Sequence, residues 1–246
     1  MSQKLHGFKK KARGIGLVAT FSDAADFRKQ FKEHLAHKVR EIAELGNLTD
    51  ESGVVRTQKM WAGATPDSFI ARQLRLTLLF KDGFSFFENE NSVASLKARL
   101  ADPAKRTTLL LLHPDYEGIA SVAAMDPQKK GRPQLQREQC KDAIHTMHGI
   151  RDEISAERGL DVSLANVFCG YRRVPTWTGM LGDSSSFISL YTTTTHRGDL
   201  LTLQIMNVLP SGEQSLWYSR YATDAEDLIR WTKDEGNGWN LWEYRP

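Results

Sequence analysis

The sequence predicts an α/β protein with a mixed, largely parallel sheet flanked by helices over residues 66–246. A strand-helix appendage with its linker is expected over residues 1–60. Three observations lead there. Residues 107–112 form an almost uninterrupted apolar run, the pattern of a parallel strand covered on both faces. Stretches of helical period alternate with short β-prone runs from residue 74 onward, the order expected of strands and crossover helices. Gly, Pro, Asp and Ser clusters separate those runs where turns are needed.

In chain order, residues 14–21 read as a short strand, and Ser22 as the N-cap of a helix from Asp23 to Leu45. Phe27, Phe31, Leu35, Val39 and Ile42 place a stripe on one face of that helix. Such a stripe packs on the main domain or docks a protein partner. Residues 47–65 are polar and turn-rich and read as a linker. Residues 74–80 read as a strand, Asp82-Gly83 as a turn, and Phe84, Phe86 and Phe87 as core packing. Residues 89–100 read as a helix, followed by the strand at 107–112 and a helix ending near Ala124. A basic loop at 126–133 leads into a long helix at 134–157. Residues 162–169 and 187–192 read as strands, with a short segment between them after Pro175. Residues 199–208 read as a further strand, 216–221 as its pairing partner, and 225–234 as a short terminal helix. The tail carrying Trp239, Trp242 and Tyr244 is expected to pack over the domain.

Composition narrows the function classes. The 246 residues are 40% hydrophobic and 26% charged, as expected of a soluble globular chain with a sizeable core. Its apolar runs fall far short of the roughly 20 residues that span a bilayer, and the basic N-terminus lacks the apolar stretch of a secretory signal. A cytoplasmic location without a membrane partner is therefore expected. Cys140 and Cys169 are too few for a disulfide framework, and His145 and His148 lack a third ligand, so neither a metal nor a cofactor is expected. The net charge of +3 is small. Its clusters at Lys9 to Arg13 and Lys129 to Arg132 can attract phosphate, but runs this short favour a solvated surface.

Two regions carry candidate site residues. His113 and Asp115 fall at the carboxyl end of the apolar strand, where open α/β sheets meet their ligands. A Pro-Asp turn with a satisfied histidine is the alternative. The second region, residues 162–195, runs from an apolar stretch through Arg172 and Arg173 to Thr176, Thr178, Asp183 and Ser186. Here Thr176-Trp177-Thr178, four residues, then Asp183 resembles the signature of the phospholipase D-like superfamily, with threonines at its histidine and lysine positions. Asp183 also reads as an Asx turn.

The resemblance implies one α/β half of that fold, spanning about residues 74–235, and a homodimer in which the Asp183 regions face each other. Without a nucleophilic imidazole and a charge-neutralising lysine it implies no phosphodiesterase activity. It implies instead a cleft holding a nucleotide or nucleic-acid phosphate through Arg172, Arg173, Thr176, Thr178, Asp183 and Ser186. The expected function is a non-catalytic sensor or regulatory domain of the kind found in bacterial regulators and antiphage systems. Two alternatives stay open: a divergent phosphodiesterase using His113 or His196, and a structural subunit docking through the N-terminal helix and aromatic tail.

Overall fold

The computed structural model describes residues 23, 54–59, 66–125, 129, 131–190, 201–209, 211–234 and 240–245. The chain divides into two compact units, Met1–Gly46 and Asn47–Pro246. The expected strand at 14–21 and the helix from Asp23 to Leu45 lie outside the described residues, apart from an exposed Asp23.

Seven strands of the second unit form one sheet: β1 (Val54–Lys59), β2 (Arg75–Phe80), β3 (Arg106–Leu112), β4 (Val167–Tyr171), β5 (Trp177–Leu181), β6 (Ser185–Leu190) and β7 (Leu201–Met206). Their spatial order is β1-β7-β6-β5-β2-β3-β4. The α/β class and mixed sheet are those the sequence predicts. Parallel pairing is confined to β2, β3 and β4, whereas β5, β6, β7 and β1 pair antiparallel. The connections explain the division. Parallel neighbours need crossovers, supplied between β2 and β3 by α2 (Phe84–Phe87) and α3 (Glu90–Leu100). Between β3 and β4 they are α4 (Ile119–Ala124) and α5 (Pro133–Arg158). A tight turn at Gly182 to Ser184 joins β5 to β6 and forces them antiparallel.

Alternation along the strands builds two cores. Leu76, Leu78 and Phe80 of β2 and Leu109 and Leu111 of β3 face α5, α3 and the helix α1 (Pro66–Arg72), with Phe69, Leu96, Ile144 and Ile154 among the buried partners. Leu79, Leu110, Leu112 and Ile188 face the other way, onto α4 and the C-terminal helix α6 (Leu216–Asp234). Burial on both faces accounts for the unbroken apolar run of β3.

Three expectations change. The stretch read as a linker contains β1, which pairs with β7. It escaped notice because only Val54 and Val55 in its sequence are apolar. Residues 216–221 are not a strand but the first turns of α6. Ser215 Oγ accepts from the Tyr218 amide (3.1 Å), and Tyr221, Ala225, Leu228 and Thr232 continue one buried stripe at helical spacing. Residues 162–164 form a 3-10 turn, so β4 starts only at Val167. The tail behaves as expected, with Leu241 and Trp242 buried.

The amino ends of β2 and β3 are tied by one buried cation. Arg99, 1% exposed, donates through Nε to Thr107 Oγ1 (2.9 Å) and through Nη2 to the carbonyls of Leu74 (3.0 Å) and Arg106 (2.7 Å). Its Nη1 donates to Ile70 (3.0 Å) and Gln73. All five guanidinium donors are used, four on carbonyls left over where α1 stops and the strands begin. Arg99→Met is expected to strand those carbonyls and cost about 3 kcal/mol. Urea unfolding checks this, with an unchanged m value and, as control, Arg220→Ala on the exposed face of α6 within about 0.5 kcal/mol of the parent.

Candidate functional site

β2, β3 and β4 end on the same side of the sheet, and each apolar run gives way to polar residues there: Lys81-Asp82, His113-Pro114-Asp115 and Arg172-Arg173. β5 runs antiparallel to β2, so its first residue lies at that side too. The loop 172–176 must therefore pass the ends of β3 and β2, a span of about 14 Å at ordinary strand spacing. The carboxyl end of the parallel strands is thus closed over by a loop bearing two arginines.

At the end of β2 lies a buried ion pair. Lys129 Nζ meets Asp82 Oδ2 at 2.5 Å, with the two side chains 2% and 5% exposed. Gln136, from the first turn of α5, donates to the same Asp82 oxygen (3.2 Å) and accepts from Lys129 (3.3 Å). Its amide also reaches Cys140 Sγ (3.6 Å), whose thiol donates to the Lys81 carbonyl (3.6 Å). Burial alone raises the Asp82 carboxyl. The Lys129 and Lys81 charges, with hydrogen bonds from Lys129 and the Phe84 amide, outweigh it and hold the group below the usual aspartate value. Burial first, then the Asp82 charge, pushes the Cys140 thiol up to about 12. Cys169 is also buried and pushed up to about 12. Neither thiol supplies a thiolate near neutral pH.

Beside the pair, His113 is 2% exposed, and its amide donates to the Tyr171 carbonyl (2.8 Å). Nδ1 accepts from the Asp115 amide (3.1 Å), which places the proton of the neutral ring on Nε2. Arg137 Nε donates to the Pro114 carbonyl (3.0 Å), fixing the loop to α5. The Tyr171 hydroxyl crosses to the Phe80 carbonyl at 3.0 Å and ties the ends of β4 and β2 together.

On the covering loop, Arg172 Nε is shut off from solvent and has no hydrogen-bond partner among the described residues. Arg173 pairs with Asp224 of α6 (2.5 Å), which also accepts from Trp177 Nε1 (2.6 Å). Thr176 is exposed, and Thr178 Oγ1 donates to the Leu79 carbonyl (2.6 Å).

The eight candidate residues do not form one cluster. His113, Asp115, Arg172, Arg173, Thr176 and Thr178 share the carboxyl side. Asp183 lies past the far end of β5, about 16 Å from Thr178 at strand rise, and Ser186, opposite Leu181, about 10 Å along. There Asp183 accepts from the amides of Leu74 and Arg75, and its own amide donates to Gln73 Oε1 (2.7 Å). Ser186 Oγ donates to Asn207 Oδ1 (2.8 Å). Both work as strand-end fastenings, and the Asp183 carboxylate takes the amides of a distant strand rather than those of its own turn. His145 is exposed and His148 bonds the Leu241 carbonyl (2.8 Å), so they serve separate purposes. No group of three metal-ligating side chains occurs among the described residues. Sequence reasoning missed Asp82, Lys129 and Gln136 as site residues. Asp82 read as a turn and Lys129 as part of a solvated run, although Asp82 follows a β-prone run much as His113 does.

No family model matches the chain, and comparison with curated proteins also gives no match. Among solved structures, TrmBL2, described as an archaeal chromatin protein with a novel mode of DNA binding, aligns with 85% of this chain and 66% of its own at 13% identity and a TM-score of 0.37. A likeness this faint carries no argument about ligand or partner. No helix among the described residues is long and apolar enough to cross a membrane.

Asp82→Asn leaves the Lys129 ammonium buried without its counter-charge and is expected to cost about 3 kcal/mol at pH 7. Asp82→Leu combined with Lys129→Met is expected to regain most of that loss. Because the folded-state carboxyl lies below the ordinary value of 3.8, its stabilisation is complete above that value and disappears as pH falls through the lowered one. Acid unfolding followed by circular dichroism should accordingly be shallower for Asp82→Asn than for the parent below pH 3.8.

Proposed function

We propose that the chain is a non-catalytic binding module of phospholipase D-like cast that holds a phosphate-bearing ligand, a nucleotide or a nucleic-acid strand, at the carboxyl ends of β2, β3 and β4. The observation that carries this reading is Arg172. A guanidinium whose Nε is sealed from water with its donor unfilled among the described residues is unusual, because buried donors are almost always satisfied. A planar guanidinium suits a phosphate oxygen in both charge and geometry. Arg172 sits on the loop over the strand ends, where Lys81, Lys129, Arg137 and Arg173 outnumber the carboxylates of Asp82, Asp115 and Asp224. Open α/β sheets take their ligands on this side.

The non-catalytic part of the proposal rests on how the reactive groups are held. Both thiols are kept protonated by burial, the Thr178 hydroxyl is committed to a carbonyl, and His113 Nδ1 is occupied. A regulatory or antiphage setting and a homodimer are what the family resemblance implies, and they belong to this proposal. The threonines at Thr176 and Thr178 depart from the family's catalytic pair and lie at the opposite end of the sheet from Asp183, so what supports the resemblance is the order of strands and helices.

Isothermal titration of the full chain against a panel of nucleotides and short single strands tests the reading. One phosphate-bearing class is expected to bind without breakdown. Arg172→Ala should weaken it at least tenfold, about 1.4 kcal/mol, and Asp183→Asn should leave it unchanged apart from stability. Turnover of the ligand, or equal affinity in Arg172→Ala, would refute the proposal.

A further inference from the structure

The last described residues, 240–245, are bound to the domain with uneven strength. Asn240 bridges Cys169 and the Leu241 amide donates to the Phe168 carbonyl (2.8 Å), so the segment lines the free edge of β4. Leu241 is fully buried, and Trp242 packs edge-on to Phe168 at 5.2 Å. Trp242 Nε1 donates to the Asn166 carbonyl (3.1 Å). Two residues of α5 hold the backbone: His148 at the Leu241 carbonyl (2.8 Å) and Arg151 at that of Trp242 (3.1 Å). Past this anchor the chain reaches the corner between His113 and Asp115. The Tyr244 ring stands edge-on to His113 with centroids 5.3 Å apart, and its hydroxyl donates to Asp115 Oδ2 at 3.2 Å. That hydrogen bond is exposed, and no other hydrogen bond of the Tyr244 side chain is seen among the described residues.

We propose that residues 240–245 are a strap, anchored at Leu241 and Trp242, whose tip Tyr244 closes the His113–Asp115 corner and swings out to admit the ligand. The inference rests on reading the carboxyl end as the ligand site. The Tyr244 ring is half-buried against the core and His113, whereas Leu241 and Trp242 are buried, so the tip opens locally at less cost than releasing the segment. Burial first, then the Asp115 charge, pushes the Tyr244 phenol up to about 12, so the tip stays a neutral donor to Asp115 at physiological pH. The closed tip fills the corner beside Asp115, whose carboxylate it hydrogen-bonds. In the closed arrangement the strap therefore opposes binding through occupied space, and Arg137, bonded to Pro114, remains to draw an anion in as the tip leaves.

The test measures how fast diethyl pyrocarbonate acylates His113 in the full chain, read by mass spectrometry, with exposed His145 as internal reference. In the parent, His113 is expected to react far more slowly than His145. Tyr244→Ala should raise the His113-to-His145 ratio about fivefold or more. Tyr244→Phe keeps the ring, loses the tether, and should fall between the two. Tyr244→Ala should also tighten nucleotide binding in the same titration used above. An unchanged ratio in Tyr244→Ala, with melting within a few degrees of the parent, overturns the strap. A raised ratio without any nucleotide binding in either protein leaves the strap standing and overturns the ligand reading instead.

Discussion

An ammonium and a carboxylate buried together cannot be parted without leaving one charge unsolvated, and the Asp82–Lys129 pair imposes that constraint where β2 ends. Much of the carboxyl side follows from it. Lys129 precedes α5 by four residues, so its pairing with Asp82 goes with the start of α5 and Gln136 lying against the end of β2. Cys140, one turn on, then fastens the helix to the Lys81 carbonyl. The pair is poor evidence of stability in itself, since such pairs roughly offset their desolvation. Its effect is to allow one arrangement of loop and helix over the ends of β2 and β3 and to penalise the alternatives.

The two ends of the sheet are built on different principles. At the amino end the strong polar groups are spent mostly on backbone. Arg99 satisfies carbonyls, Asp183 satisfies amides, and Asn207 joins Ser186 to the Gly182 carbonyl. At the carboxyl end the polar groups pair mainly with one another, Lys129 with Asp82 and Arg173 with Asp224. Two buried lysines, two loop arginines and a histidine collect around these strand ends. Holding such a cluster close to a sheet end costs desolvation, which its own ion pairs offset in part. Thr176 and Thr178 stand on this side, and Asp183 on the other.

How far the sequence discloses this depends on whether a feature is local. β3 is legible because Leu109 to Leu112 in a row record burial on two faces, and α5 because its apolar spacing continues for many turns. His113 and Asp115 are legible as a polar cluster closing an apolar strand. β1 is hidden, because its place in the sheet is decided by pairing with β7, far along the chain. Lys129 looks like one member of a solvated basic run until Asp82, 47 residues earlier, is brought beside it. Asp183 shows the reverse. Its motif-like setting suggests chemistry, yet its partners are the amides at the start of β2, more than 100 residues away. The mistaken strand at 216–221 came from aromatic enrichment in so short a window, where Ser215 and the spacing beyond Tyr221 had the better information.

The central claim is that a tetrahedral oxyanion is held at the carboxyl ends of β2, β3 and β4 and not at the Asp183 end. Crystals of the full chain soaked in tungstate, an electron-dense stand-in for phosphate, locate that oxyanion directly by anomalous diffraction. The account predicts a strong peak within hydrogen-bonding distance of the Arg172 guanidinium, beneath the loop 172–176. A strong peak beside Asp183 and Ser186, or none near Arg172 at saturating tungstate, would contradict it.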